Sequence, residues 1–151
     1  MTLQIEGLTK RFGAHTLFRG LELRVEGPAV LWAPSGWGKT TLLRILMGLE
    51  RPDAGSVTGV GRVAAVFQED RLCPQLTAVE NVLLVLPDGR ARRGGVEADF
   101  ARLGMTGDAL TLPAARLSGG QKRRAALLRA VWARADTRLF DEPFTGLDPA
   151  A

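Results

Sequence analysis

The sequence predicts an α/β fold in which a short apolar strand feeds a glycine-rich turn and then a helix. Three observations predict it. Ala29-Val30-Leu31-Trp32 is an apolar run that follows the turn signal Glu26-Gly27-Pro28. The stretch Ala33-Pro34-Ser35-Gly36-Trp37-Gly38-Lys39-Thr40-Thr41 comes next, and Thr40 to Leu49 then reads as a helix. Later strand-like runs, Val63 to Phe67 and Arg138 to Phe140, alternate with helical stretches, as a sheet with crossover helices requires.

Strand, glycine-rich turn, Gly-Lys-Thr and helix together are the setting a phosphate-binding loop needs. Gly36 and Gly38 let backbone approach an anion where a Cβ would obstruct it. The N–H groups of the turn and of the helix start converge on one anion, with the helix dipole behind them. Lys39 supplies a mobile point charge for the β- and γ-phosphates, and Thr40 a hydroxyl for Mg²⁺. The motif usually opens with Gly, and here that position is Ala33. If this position needs positive φ, Ala costs on the order of 1 kcal/mol; if it only ends a strand, the cost is small.

The elements follow in order. Leu3, Ile5 and Leu8 predict a first strand, with Phe12 and Gly13 in the turn after it. Leu21, Leu23 and Val25 alternate with Glu22 and Arg24, which predicts a half-exposed strand from Leu17 to Val25. The helix after the phosphate loop ends near Gly48, and Arg51 to Ser56 is a turn. Val57 to Arg62 reads as a glycine-broken strand and Val63 to Phe67 as a buried strand ending at Gln68. Thr77-Ala78-Val79-Glu80 is a capping box that opens a helix to about Leu86. Pro87 to Gly95, with Arg90, Arg92 and Arg93 among glycines, reads as an exposed loop. Val96 to Leu103 reads as helix, and Gly104 to Arg116, with Pro113, as irregular. Ser118 and Gln121 form a second capping box, opening a helix to about Arg134. Gly119 and Gly120 leave that helix start uncrowded, a second anion-binding end. A short strand, Arg138 to Phe140, then leads to Asp141-Glu142 and a turn, Phe144 to Asp148.

The 151 residues suffice for a real core, burying roughly 70% of the unfolded surface. Composition is globular, 46% hydrophobic and 24% charged, with net charge +4 and a sequence pI near 10.2. The arginines are scattered, with no aromatic-interleaved basic stripe, so no nucleic-acid partner is expected. Cys73 is the lone cysteine, which excludes an internal disulfide and suits a reducing cytosol. Met1 to Glu6 has no signal-peptide apolar region, and no run approaches the ~20 residues of a membrane span.

The phosphate loop, Gln68 after an apolar strand, Leu117-Ser118-Gly119-Gly120-Gln121, Leu139-Phe140-Asp141-Glu142-Pro143 and Gly146-Leu147-Asp148 occur in that order. This combination resembles the nucleotide-binding subunit of ATP-binding-cassette (ABC) transporters. The resemblance covers essentially the whole chain. It implies a P-loop NTPase three-layer fold with an antiparallel β subdomain and a helical insert at about 77–116. The connector Arg71 to Thr77 with Val79-Glu80-Asn81-Val82 resembles bacterial importers of the nitrate/sulfonate type.

The resemblance also implies roles. Phe12 matches the residue that stacks on adenine, and Ser35, Gly36, Trp37, Gly38, Lys39, Thr40 and Thr41 match the phosphate cradle. Gln68 matches the glutamine near Mg²⁺ and the attacking water, Asp141 the Mg²⁺-holding acid, and Glu142 the general base. Ser118, Gly119, Gly120 and Gln121 match the signature that meets ATP on the opposite subunit, and Asp148 the acid of the dimer-contact loop. The implied cofactors are ATP and Mg²⁺. The implied partners are transmembrane permease subunits, to which Leu72 and Leu76 would offer apolar contact, and a second nucleotide-binding subunit in a head-to-tail homodimer or pseudo-dimer. A periplasmic or extracellular substrate-binding protein is implied indirectly. The implied place is the cytoplasmic face of the membrane.

There are departures. Asp136, Thr137 and Arg138 intrude where the family has apolar strand residues before Asp141, which should fray that strand. The family's next strand and its histidine are not in the sequence; His15 lies in an early turn and does not match. The chain therefore reads as C-terminally truncated, with a gap expected between the strands ending at Ala33 and Asp141. Two alternatives follow: a nucleotide-holding module with little turnover, or a soluble, non-transport ABC-type ATPase.

Overall fold

A computed structural model describes residues 2–145. The chain divides between residues 63 and 64 into two compact units.

The first unit is a three-stranded antiparallel sheet followed by a helix. β1 (Leu3–Phe12) and β2 (His15–Val25) form a hairpin, and β3 (Ala54–Thr58) pairs with the other edge of β1. The register runs from Leu3 opposite Val25 to Phe12 opposite His15, with shifts along the way. At these irregularities side chains take over from the ladder. The Gly7 N–H donates to Glu22 Oε1 at 2.6 Å, and the Gly20 N–H to Thr9 Oγ1 at 3.1 Å. Leu21, Leu23 and Val25 are half-buried and Glu22 and Arg24 exposed, as the alternation predicts. Leu3, Ile5, Leu8 and Phe18 are buried. β3 begins at Ala54, earlier than the predicted Val57, because Asp53 and Ala54 already face Thr9. Gly55 lies so close to β1 that a Cβ would come within 2.5 Å of the Gly7 carbonyl.

α1 (Lys39–Leu46) buries Leu42, Ile45 and Leu46. It stops where the sequence predicts: Gly48, at φ 71°, takes the left-handed conformation. The Leu49 N–H reaches Arg44 O at 2.9 Å and the Gly48 N–H reaches Ile45 O at 3.0 Å, which closes the helix end.

The predicted strand Ala29–Trp32 does not form. Residues 28–34 are irregular, with Val30 93% and Trp32 86% exposed. Among the described residues no strand pairs with this run. An extended apolar segment without a ladder leaves its N–H and C=O groups to water and gains no packing.

The second unit joins a two-stranded sheet, β4 (Val63–Val66) with β5 (Thr137–Phe140), to helices. α2 (Ala78–Leu83) and α5 (Gly119–Trp132) both start with complete capping boxes. Between them lie α3 (Gly89–Arg102), the short α4 (Asp108–Thr111) and a 3₁₀ turn, Ala114–Arg116. Their core contains Val79, Val82, Val96, Phe100, Met105, Leu117, Ala125 and Leu128.

Three expectations are corrected here. α3 begins at Gly89, so the expected loop Pro87–Gly95 is mostly helix. Arg and Ala are good helix formers, and extension from the packed turn at Val96 and Phe100 outweighs about 1 kcal/mol per glycine. Gly95 also gives room to Trp132, whose Nε1 donates to Asp99 at 3.0 Å. The segment expected to be irregular, Gly104–Arg116, contains the two short helices just named. Thr137 and Arg138 belong to β5 and do not fray it. The guanidinium of Arg138 donates to the carbonyls of Ala130, Val131 and Ala133, and so closes the C-terminal end of α5.

Candidate functional site

In the first unit the phosphate loop is built from two left-handed glycines. Gly36 has φ 80° and Gly38, the N-cap of α1, has φ 102°. At Gly36 nothing crowds a Cβ, so conformation alone demands glycine. At Gly38 a Cβ would meet Leu17 Cδ2 and Phe18 Cζ at 2.8 Å, so space demands it too. Ala33 has no positive φ, so alanine carries no conformational cost there, although the strand it was expected to end does not form. The Trp37 N–H donates to Pro34 O at 3.3 Å, and its ring meets Phe18 with centroids 5.3 Å apart. Lys39 folds over its own loop: Nζ donates to Ala33 O at 2.7 Å and Pro34 O at 3.1 Å. Ser35 and Thr40 are exposed, and Thr41 half-buried.

Phe12 ends β1 and is 49% exposed. Lys10 Nζ lies 5.1 Å from its ring. The same ammonium, buried, donates to Glu50 Oε1 at 2.7 Å and Arg51 O at 2.8 Å. The hydrogen bond from Lys10 holds the Glu50 carboxyl below its ordinary value. His15 is exposed and opens β2, so it belongs to the strand and not to the expected early turn.

In the second unit, Gln68 follows β4 and Asp141-Glu142 follows β5. Gln68 is exposed, Asp141 buried and Glu142 exposed. The Asp141 N–H donates to Val66 O at 2.9 Å, so the two strand ends run together. Glu142 has φ 47°, a left-handed conformation that a non-glycine residue rarely takes. Its carboxylate accepts from Thr145 Oγ1 at 3.3 Å and its carbonyl from the Thr145 N–H at 3.2 Å. Asp148 lies outside the described residues.

The signature stretch forms the start of α5. Ser118 is the N-cap: its Oγ accepts from the Gln121 N–H at 3.2 Å, and Gln121 Oε1 accepts from the Ser118 N–H at 2.9 Å. At Gly119 φ is ordinary, and a Cβ there would meet nothing within 4 Å. Neither strain nor packing explains that glycine; it keeps the helix start bare.

Two residues to which the sequence assigned no role of their own organise this unit. Asn81, fully buried, donates to the carbonyls of Cys73, Leu76 and Thr77 and accepts from the Cys73 N–H, so it staples the connector onto α2. Arg123 bridges the segments that carry Gln68 and Glu142. Its neighbours in sequence offered no signal, because every partner is distant along the chain. Beside the connector is a cavity of about 210 Å³ lined by Asp70, Arg71, Leu72, Pro74, Ala114, Ala115 and Lys122. Leu72 also packs against the helical core.

Comparison with known proteins agrees with the motif order. The family described as ABC transporter matches residues 21–145. The aliphatic sulfonates import ATP-binding protein SsuB 1 of Nocardia farcinica is 45% identical over 150 residues, covering 98% of this chain and 61% of that protein. SsuB 2 of Paraburkholderia xenovorans is 42% identical over 150 residues, covering 98% and 60%. The chain thus spans about three fifths of the length of these relatives. A dimeric post-hydrolysis state of the ATP-binding cassette MJ0796 bound to ADP and Pi aligns with TM-score 0.80 at 25% identity, covering 98% of this chain and 77% of that one. With the phosphate loop, the capped signature helix and the Asp-Glu strand end all formed, the chain belongs to the ABC transporter family.

Proposed function

We propose that this chain is the ATP-binding and hydrolysing part of a subunit that powers an ABC membrane importer. The observation that carries the reading is the loop geometry: left-handed Gly36 and Gly38 with Lys39 folded over the same turn. In this reading Lys39, with Ser35 to Thr41, holds the β- and γ-phosphates, and Phe12 stacks on adenine. Gln68 orients water and Glu142 accepts its proton as it attacks the γ-phosphate. Ser118 to Gln121 binds the γ-phosphate of ATP held by a second copy, with Asp148 in the contact between copies.

Among the described residues no cluster of three His, Cys, Asp or Glu could hold a metal. Thr40, Gln68 and Asp141 are an all-oxygen donor set with one carboxylate. Each is an oxygen donor of the kind Mg²⁺ takes together with phosphate and water, and in this reading Thr40 offers its hydroxyl from the phosphate loop and Gln68 and Asp141 theirs from the two strand ends. Bound there, Mg²⁺ supplies charge neutralisation at the phosphates.

Among the described residues no helix is long and apolar enough to cross a membrane. The names of the importer relatives support a place at the cytoplasmic face, bound to permease subunits, with a substrate-binding protein acting beyond them. The cavity beside Leu72 and Pro74 is the docking groove for a permease segment. The relatives' names support import as the direction and sulfonates as the cargo. The test is phosphate release with Mg·ATP together with ATP-induced association. Glu142→Gln should abolish release and trap an ATP-bound pair; a protein that neither binds ATP nor associates with it refutes the reading.

A second reading, nucleotide holding with little turnover, is favoured by one observation: the run leading into the loop is exposed and unpaired. Robust phosphate release by these 151 residues alone would dismiss it.

A further inference from the structure

Arg123 is 2% exposed, and its guanidinium faces two chain segments at once. Toward the Gln68 segment, Nη1 donates to Phe67 O at 2.5 Å and Gln68 O at 3.3 Å, and lies 3.4 Å from Asp70 Oδ1. Toward the Glu142 segment, Nη2 donates to Asp141 O at 3.2 Å and to Glu142 O, and Nε donates to Pro143 O at 2.8 Å. A planar fork of five N–H groups suits such a task, whereas an ammonium has three donors around a point.

Backbone conformation gives a second, independent observation. Among the described residues the non-glycine positive-φ positions are Arg71, at 45°, and Glu142, at 47°. Both carbonyls accept from arginines of α5: Glu142 O from Arg123, and Arg71 O from Arg129 Nη1 at 2.9 Å. One helix thus holds both strained segments in place, and that helix begins with Ser118-Gly119-Gly120-Gln121.

We infer that Arg123 is a positioning residue for hydrolysis, fixing Gln68 relative to Asp141-Glu142 from the signature helix. The inference rests on the ATPase reading above. Arg123 grips main-chain carbonyls, so it acts on turnover and not on nucleotide affinity. It also ties any movement of the signature helix to the hydrolytic segment of the same copy.

The experiment compares the unaltered protein with Arg123→Gln and Arg123→Lys. It reads Mg·ATP turnover, ATP affinity and deuterium exchange of peptides spanning 66–72 and 139–145. Arg123→Gln is expected to lower kcat about tenfold or more, with KM and ATP affinity within about twofold. Exchange should rise in both peptides while the α2–α3 core, 78–102, keeps its protection. Arg123→Lys, which retains the buried charge without the fork, should recover part of the turnover. Unchanged kcat, or exchange that rises equally through 78–102, overturns the inference. If the unaltered protein neither binds nor hydrolyses ATP, the ATPase reading falls with it. The exchange pattern then still decides whether Arg123 holds the two segments together.

Discussion

Lys39 Nζ donates to the carbonyl of Ala33 at 2.7 Å, six residues back along its own loop. The ammonium therefore braces the turn that the ATPase reading makes a phosphate cradle. Two of its three donors are engaged by Ala33 and Pro34, which leaves one to meet an anion.

Lys39→Ala removes both the charge and this tether. Hydrogen bonds to a charged group are worth about 1.5–3 kcal/mol, so ATP affinity should fall roughly 10- to 100-fold. Titration with a fluorescent ATP analogue reads this directly. Unchanged affinity would show that the loop is not the phosphate site.

Gly38→Ala and Gly119→Ala should separate stability from function. At Gly38 the new Cβ faces Leu17 and Phe18 at 2.8 Å with φ 102°, so the loss should be about 1–3 kcal/mol. At Gly119 the Cβ meets open space in a helix, so stability should hold or rise by up to about 1 kcal/mol. Turnover and ATP-driven pairing should nonetheless fall in Gly119→Ala. Urea midpoints and phosphate release measure the two effects; full activity in Gly119→Ala would argue against a bare helix start as a binding surface.

Glu80 accepts from the Thr77 N–H at 2.8 Å, and that hydrogen bond draws its carboxyl below the ordinary value of 4.5. Glu50 is lowered in the same direction, chiefly by Lys10. Both groups bind protons more weakly folded than unfolded. Their stabilisation is therefore complete above about pH 4.5 and drains away as pH falls through the lower folded values. Glu80→Gln should flatten the decline of the melting temperature as pH falls below about 4.5. Thr77→Ala, which removes the cap itself, should cost about 1 kcal/mol at neutral pH.

Asn81 is fully buried and makes its four hydrogen bonds to the connector. Asn81→Ala orphans those main-chain groups and should cost about 2–4 kcal/mol. Exchange at residues 72–77 should rise more than at α5. An unaffected connector would show that Ala114 and Ala115, whose N–H groups reach Leu76 and Pro74, suffice to hold it.

Much of the helical framework is legible in the sequence because its determinants are local. Each capping box is complete within four residues, Thr77 to Glu80 and Ser118 to Gln121. Gly48 ends α1 through bonds to its own last turn. Gly36 and Gly38 are readable for the same reason, since a left-handed turn announces itself by the residue that tolerates it.

What the sequence hides depends on distant partners. Ala29–Trp32 has a strand's composition and no strand's ladder. Arg90 to Gly95 has a loop's composition, yet α3 absorbs it because Val96 and Phe100 are packed. Arg123 looks like one more basic residue after a signature motif, and its partner Phe67 O lies 56 residues away.

By itself, then, the order of residues determined the family, the glycine turn before α1 and both helix starts, since backbone preference and capping act within a few positions. Tertiary structure alone decided which apolar run became a strand, how far α3 extends, and that Arg123 joins Gln68 to Glu142. Hydrogen-bond ladders, burial and a shared guanidinium exist only once separate segments have met.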